Sequence, residues 1–231
     1  PSWGPGLRAD RRPRGRPRAA GGLLDVAGLQ LVAGGVVNHE RVTFCNTGSE
    51  AVMAAMRLSR AVTGREKIAV FSNDYHGQFD EVLVKGRSRG NDPAALPIAP
   101  GIPRSGLANM VVLDYGADAS LEWIRNNIND LAAVIVEPVQ SRYPERRPEA
   151  FCKTLRQITA DGGTALVFDE VVTGFRTHIR GMQGVWGIQA DMATYGKVIG
   201  GGMPIGLLAG SGRFMDALDG GPWRFEDDTC P

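Results

Sequence analysis

Cysteine is scarce in this chain. Cys45, Cys152 and Cys230 are odd in number and far apart, which does not make a disulfide framework. They read as reduced thiols, and a cytoplasmic protein is expected. Histidine is equally sparse: His39, His76 and His178 are too scattered among the cysteines to form a metal-ligand set. No apolar run is long enough to cross a bilayer, and the start lacks the apolar core of a signal peptide, so no membrane association is expected. A phosphate loop of the Gly-x-x-x-x-Gly-Lys-Ser/Thr kind is missing, since Gly196-Lys197 has no upstream glycine at the right spacing. No internal repeat shows.

What is present suits a soluble globular protein: 231 residues, 43% hydrophobic and 22% charged. Glycine is abundant and clusters at 162–163, 200–202 and 220–221, which marks turns and close backbone approaches. Charge is uneven. Six arginines (Arg8, Arg11, Arg12, Arg14, Arg16, Arg18) oppose only Asp10 in the first 18 residues, so the remainder of this +1 chain is net acidic. A nucleic-acid-binding arm is one reading of that segment. No aromatic residues interleave and no folded basic face accompanies it, so residues 1–38 read as a disordered arginine-rich segment and no nucleic-acid partner is expected.

From about residue 40 strand and helix patterns alternate. Val42–Cys45, Lys67–Phe71, Val111–Leu113, Ala132–Val136, Ala165–Phe168, Ala193–Tyr195 and Gly206–Ala209 read as strands. Helical spacing runs through Val52–Val62, around Ser120–Ile128 and near Pro148–Ala160, and residues 86–106 read as a long surface loop. Continuous apolar strands alternating with helices predict an α/β fold: a mainly parallel sheet with helices on both faces.

In such a sheet ligands bind beyond the carboxyl ends of the strands. Polar residues gather there: Asn46–Ser49, Asp74–Gly77, Glu137–Gln140, Asp169 and Lys197. Thr47, Gly48 and Ser49 precede a helix, whose amides and dipole suit a phosphate; a plain N-cap by Thr47 or Ser49 is the competing reading. Tyr75 offers a flat ring for stacking, against an ordinary loop tyrosine beside a solvent-facing His76. Asp169 could hold a ring nitrogen, cap the next helix or pair with an arginine such as Arg176. Lys197 stands before a stretch, Val198–Gly212, without acid or base, which suggests a low-charge pocket where burial would sharpen its amine as a nucleophile. A lysine amine and an aspartate at two strand ends is what pyridoxal 5'-phosphate (PLP) chemistry requires.

The stretches Cys45-Asn-Thr-Gly-Ser-Glu-Ala51, Asn73-Asp-Tyr-His-Gly77, Val136-Glu-Pro-Val-Gln140, Val167–Arg176 and Ala193–Gly206 resemble class III PLP-dependent aminotransferases, most of all the glutamate-1-semialdehyde aminomutase branch. Residues 137–142 and 217–221 are also similar to aminotransferase domains of polyketide and nonribosomal peptide synthases. The resemblance implies a large domain of PLP fold type I over residues 39–231, with the small C-terminal domain absent, working as a homodimer in the full-length protein. It implies Lys197 as Schiff-base lysine and proton shuttle, Asp169 on the pyridine nitrogen, Gly48 and Ser49 on the phosphate, and Tyr75 on the ring. Gln140, and Glu137 with it, would lie near the phenolic oxygen, while His76 shares the Tyr75 loop without an assigned role. The implied activity is transamination between an amino donor and a carbonyl acceptor, with a carrier-bound β-keto acyl chain as one candidate acceptor. The alternatives are a 1,2-aminomutase and a truncated piece that binds no cofactor.

Overall fold

The apolar runs of the sequence pair into one sheet. In a computed structural model of the chain, which describes residues 35–86 and 93–219, the strands are β1 (Arg41–Cys45), β2 (Lys67–Phe71), β3 (Val84–Lys85), β4 (Leu96–Pro97), β5 (Met110–Leu113), β6 (Leu131–Val136), β7 (Ala165–Asp169), β8 (Met192–Tyr195) and β9 (Gly206–Gly210). Seven of them form the sheet in the order β1-β9-β8-β7-β6-β2-β5. The neighbours from β5 to β8 run parallel; β9 is antiparallel to both β8 and β1, which leaves β1 pointing the same way as the parallel set.

The helices are α1 (Gly48–Thr63), α2 (Asp118–Asn126), α3 (Glu149–Asp161), α4 (Gly181–Trp186) and α5 (Gly212–Met215). All six residues of β6 are buried, as expected of a strand covered on both faces. Alternate residues serve opposite layers. Ile68, Val70, Ala133, Ile135 and Val167 pack under α1 through Ala51, Val52, Ala55 and Met56. Ala69, Phe71, Val134, Val136 and Phe168 face α2 and α3 through Leu121, Ile124 and Leu155. The α/β architecture with helices on both faces is therefore the one the apolar pattern predicts.

Two boundaries differ from the sequence reading. Helix α1 begins at Gly48, ahead of its apolar spacing, because its start is fixed by polar contacts. The Glu50 amide donates to Thr47 Oγ1 (3.2 Å), and the Glu50 carboxylate accepts from the Thr47 amide (3.2 Å), a reciprocal capping box. Residues 86–106 are not loop throughout. Leu96–Pro97 pairs antiparallel with Val84–Lys85, and Arg104–Leu107 forms a short 3-10 turn that buries Leu107. Elements this short show no periodicity in a sequence. The arginine-rich residues 8–18, Cys230 and residues 220–221 lie outside the described residues.

Candidate active site

The carboxyl ends of the parallel strands surround a cavity of about 240 Å³. Gly48 and Ser49 reach it from beyond β1, and Tyr75, His76 and Gly77 from beyond β2. Glu137 follows β6, Asp169 ends β7 with Val171 and Val172 behind it, and Lys197 follows β8. Lys197 and Asp169, remote in sequence, thus share one space, and seven of the eight residues singled out in the sequence line it. Gln140 does not. A larger open groove of about 1060 Å³ adjoins at Tyr75, over the ends of β2 and β5. Size does not choose between the two; His76, Glu137, Asp169 and Lys197 all line the smaller, and none of them lines the larger.

One end of the cavity is the N-terminus of α1. Thr47 does the capping, so the plain-cap reading holds for Thr47 and leaves Ser49 free of that task. Ser49 Oγ accepts from the Gln78 amide (3.2 Å) and keeps its proton for another acceptor. The unpaired amides of the first turn, the helix dipole and this hydroxyl suit a phosphate. The approach is close on every side. A Cβ on Gly48 would lie 2.9 Å from Val171 Cγ2, and one on Gly206 would lie 2.2 Å from the Thr47 carbonyl oxygen. Gly206→Ala is therefore expected to push the start of α1 away from β9 and to cost about 2 kcal/mol of stability, read from the urea unfolding midpoint.

The floor is acidic. Asp169 is buried; its Oδ1 accepts from Thr194 Oγ1 (3.1 Å) and the Val171 amide (3.2 Å), and its Oδ2 pairs with His76 Nδ1 (2.8 Å). Neither an Arg176 pair nor a helix cap forms, because α4 starts only at Gly181 and the carboxylate is taken by its own turn and by neighbouring strands. His76 is not solvent-facing: its side chain is 2% exposed, with Nε2 3.4 Å from Asp74 Oδ2. Burial opposes charge on this imidazole, but hydrogen bonds and charge from Asp169 and Asp74 outweigh it and lift its pKa to about 10. Burial pushes Asp74 up, and His76 pulls it back only in part. Glu137 accepts from the Tyr75 amide (2.9 Å), and burial together with Asp74 raises it to about 7. Among the described residues no group of His, Cys, Asp or Glu is placed to hold a metal ion.

Two findings correct expectations. Lys197 is exposed, so the burial inferred from its uncharged surroundings is not present. A run without charged residues in sequence does not become a covered pocket when its glycine-rich turn lies at the rim. Its backbone is left-handed (φ 48°), as it is at Asn38, Asn73 and Phe175, an arrangement that costs a non-glycine residue about 1–2 kcal/mol. Gln140 is fully buried behind the floor and donates to Asp74 Oδ1 (2.6 Å) and the Ser72 carbonyl (2.8 Å) rather than reaching the cavity. Tyr75, half-exposed, lines the cavity, and its hydroxyl accepts from Gln78 Nε2 (2.6 Å).

Sequence reading also missed Glu170. This fully buried carboxylate accepts from the Met182 and Gln183 amides (3.0 Å each) and from the Thr173 hydroxyl. It ties the segment carrying Val171 and Val172 to the start of α4. Its only sequence signal was its place beside Asp169 at a strand end.

The model of the aminotransferase class III family matches residues 26–223. The matched stretch begins within residues 1–38, further upstream than the motifs placed the family boundary. Among curated relatives, glutamate-1-semialdehyde 2,1-aminomutase of Pyrobaculum calidifontis is 44% identical over 185 residues, which is 79% of this chain and 42% of that protein. Glutamate-1-semialdehyde 2,1-aminomutase 1 of Lachnoclostridium phytofermentans is 37% identical over 94% of this chain and 54% of its own length. Among solved structures, an omega-transaminase from Sphaerobacter thermophilus superposes with a TM-score of 0.76 at 35% identity, over 85% of this chain and 48% of that one. The chain thus spans about half the length of the relatives it matches.

Proposed function

Because the chain belongs to the class III aminotransferase family, we propose that it forms the PLP-binding part of an enzyme that moves an amino group from an amino donor to a carbonyl acceptor. When bound, PLP supplies an aldehyde that takes up the amino group and a protonated ring that stores the electrons of the broken bond. The residues of the cavity fit that group. Ser49 and the first amides of α1 would receive its phosphate, and Asp169, with three of about four acceptor positions filled, retains one for the ring N–H. The ring of Tyr75 would lie against the heterocycle, with Glu137 on the same wall. Lys197 Nζ would take the proton from the substrate carbon and deliver it to the carbon that was the cofactor's aldehyde, so the same amine serves as base and acid.

What carries this reading is the shared space: Asp169, Lys197 and the N-terminus of a sixteen-residue helix line one cavity. On this reading the acceptor is a carbonyl compound, and a carrier-bound β-keto acyl chain is the specific candidate. The full-length enzyme acts as a homodimer in the cytoplasm. A second reading is internal amino migration, favoured by the 44% identity to a named aminomutase. It needs no separate acceptor, so product formation from a single substrate without added carbonyl compound selects it.

The test is direct. The chain is incubated with PLP, reduced with borohydride and digested, and the peptides are weighed. The expected result is one modified peptide, bearing the cofactor's mass on Lys197. No modification at millimolar PLP, or modification elsewhere, would count against the reading and in favour of a piece that binds no cofactor.

A further inference from the structure

Behind the cavity runs a line of polar side chains that cofactor contact does not explain. Gln140 Nε2 donates to Asp74 Oδ1 (2.6 Å), Asp74 Oδ2 faces His76 Nε2 (3.4 Å), and His76 Nδ1 meets Asp169 Oδ2 (2.8 Å). The side chains of Asp74, His76 and Asp169 are 1%, 2% and 3% exposed, and Gln140 is fully buried. Asp74 is further held by the Glu137 amide (3.1 Å), and Gln140 by the Ser72 carbonyl (2.8 Å). Only Asp169 and His76 of this line touch the cavity.

His76 Nε2 is in charge contact with Asp74 Oδ2 without a hydrogen bond, so only the cationic ring, with a proton on each nitrogen, faces both carboxylates favourably; as a neutral ring it would turn a lone pair toward one of the anions. The groups facing it come from three separate elements: Asp74 after β2, Asp169 on β7 and Glu137 after β6, with Lys197 at the rim. Three acids against one buried cation leave the floor short of positive charge. Asp169 is also fixed in rotation, since Thr194 and the Val171 amide hold Oδ1 while His76 holds Oδ2.

Resting on the reading above, we propose that Gln140, Asp74 and His76 are positioning residues for Asp169: the line fixes its carboxylate and balances its charge from behind, leaving one acceptor position for a cationic ring nitrogen in the cavity. Gln140 then acts through Asp74 and His76, not by contact with the cofactor.

The chain has three histidines, so ¹⁵N labelling of histidine resolves His76 without cofactor. Both of its ring nitrogens are expected to carry protons at pH 8. Asp74→Asn is expected to move its midpoint down by about one pH unit or more, and Gln140→Leu in the same direction by less. A His76 that is neutral at pH 8, or unmoved in Asp74→Asn, overturns the proposal. PLP affinity, followed by fluorescence quenching, is expected to fall about tenfold in Gln140→Leu with the unfolding midpoint retained. His76→Asn, which keeps a donor toward Asp169, is expected to recover affinity relative to His76→Phe. Wild-type affinity in Gln140→Leu, or equal loss in the two His76 variants, also overturns it. If the unsubstituted chain binds no PLP, the functional reading fails, and the histidine spectra still decide this proposal.

Discussion

Lys197→Ala is expected to abolish borohydride trapping of PLP while leaving reversible cofactor binding in place. Asp169, Ser49 and Tyr75 line the cavity independently of Lys197, so the contacts expected for ring and phosphate survive. What disappears is the only amine among the residues that line the cavity. Loss of a positioned acid–base group typically costs about 10²–10⁴-fold in rate, and in the proposed function the same group forms the covalent link, so release of keto product from an amino donor is expected to fall at least that far. Alanine inherits the left-handed backbone at this position, so the fold pays no new penalty. Product release and peptide mass measured on the same samples separate the outcomes; trapping at the level of the unsubstituted chain would show that another amine carries the link.

Glu170→Ala is expected to be the most damaging substitution to the fold. It leaves the Met182 and Gln183 amides and the Thr173 hydroxyl without their buried acceptor. Unsatisfied buried donors cost about 1–3 kcal/mol each, and an ordinary domain has about 5–15 kcal/mol in total. Urea unfolding of Glu170→Ala should therefore show a large loss or no folded baseline. Glu170→Gln keeps an acceptor and should survive.

The same residue sets a pH dependence. Burial raises Glu170 to about 7 from 4.5, and Glu137 is likewise raised to about 7. The folded carboxyl groups hold protons that the unfolded chain releases near 4.5. Folding therefore takes up protons in this window, and stability falls as pH rises from about 4.5 to about 7. The loss for Glu170 is on the order of 3 kcal/mol. His76 adds stability that is complete below its unfolded value of 6.5 and is lost as pH climbs through about 10. Urea midpoints at pH 5, 6, 7 and 8 should decline, with a shallower decline in Glu170→Gln; a midpoint that rises over this range would contradict the assignment.

The sheet was legible in the sequence because β6 is apolar throughout, β2 and β7 are apolar apart from Lys67 and Asp169 at their ends, and their turns carry the polar residues. Lys197, Asp169, Ser49 and Tyr75 were legible as strand-end residues for the same reason. Gln140 was misplaced because a strand end offers two sides, and only packing shows that its amide turns back onto Asp74. His76 was undervalued because its partners lie 2 and 93 residues away, and the distant one is invisible to any local pattern. Glu170 was missed because its partners are backbone amides of α4, which carry no sequence signature. The exposure of Lys197 was misjudged because neighbouring composition reports charge, not cover.

The place of β1 in the sheet has a further consequence. Among the described residues its only strand neighbour is β9, paired from Arg41–Gly210 to Cys45–Gly206 across most of the described chain. The segment that aims Ser49 into the cavity thus docks on a strand made long after it. Such distant pairing forms late, so folding should gather β5 to β8, and Asp169 with them, before the wall that would grip a phosphate closes.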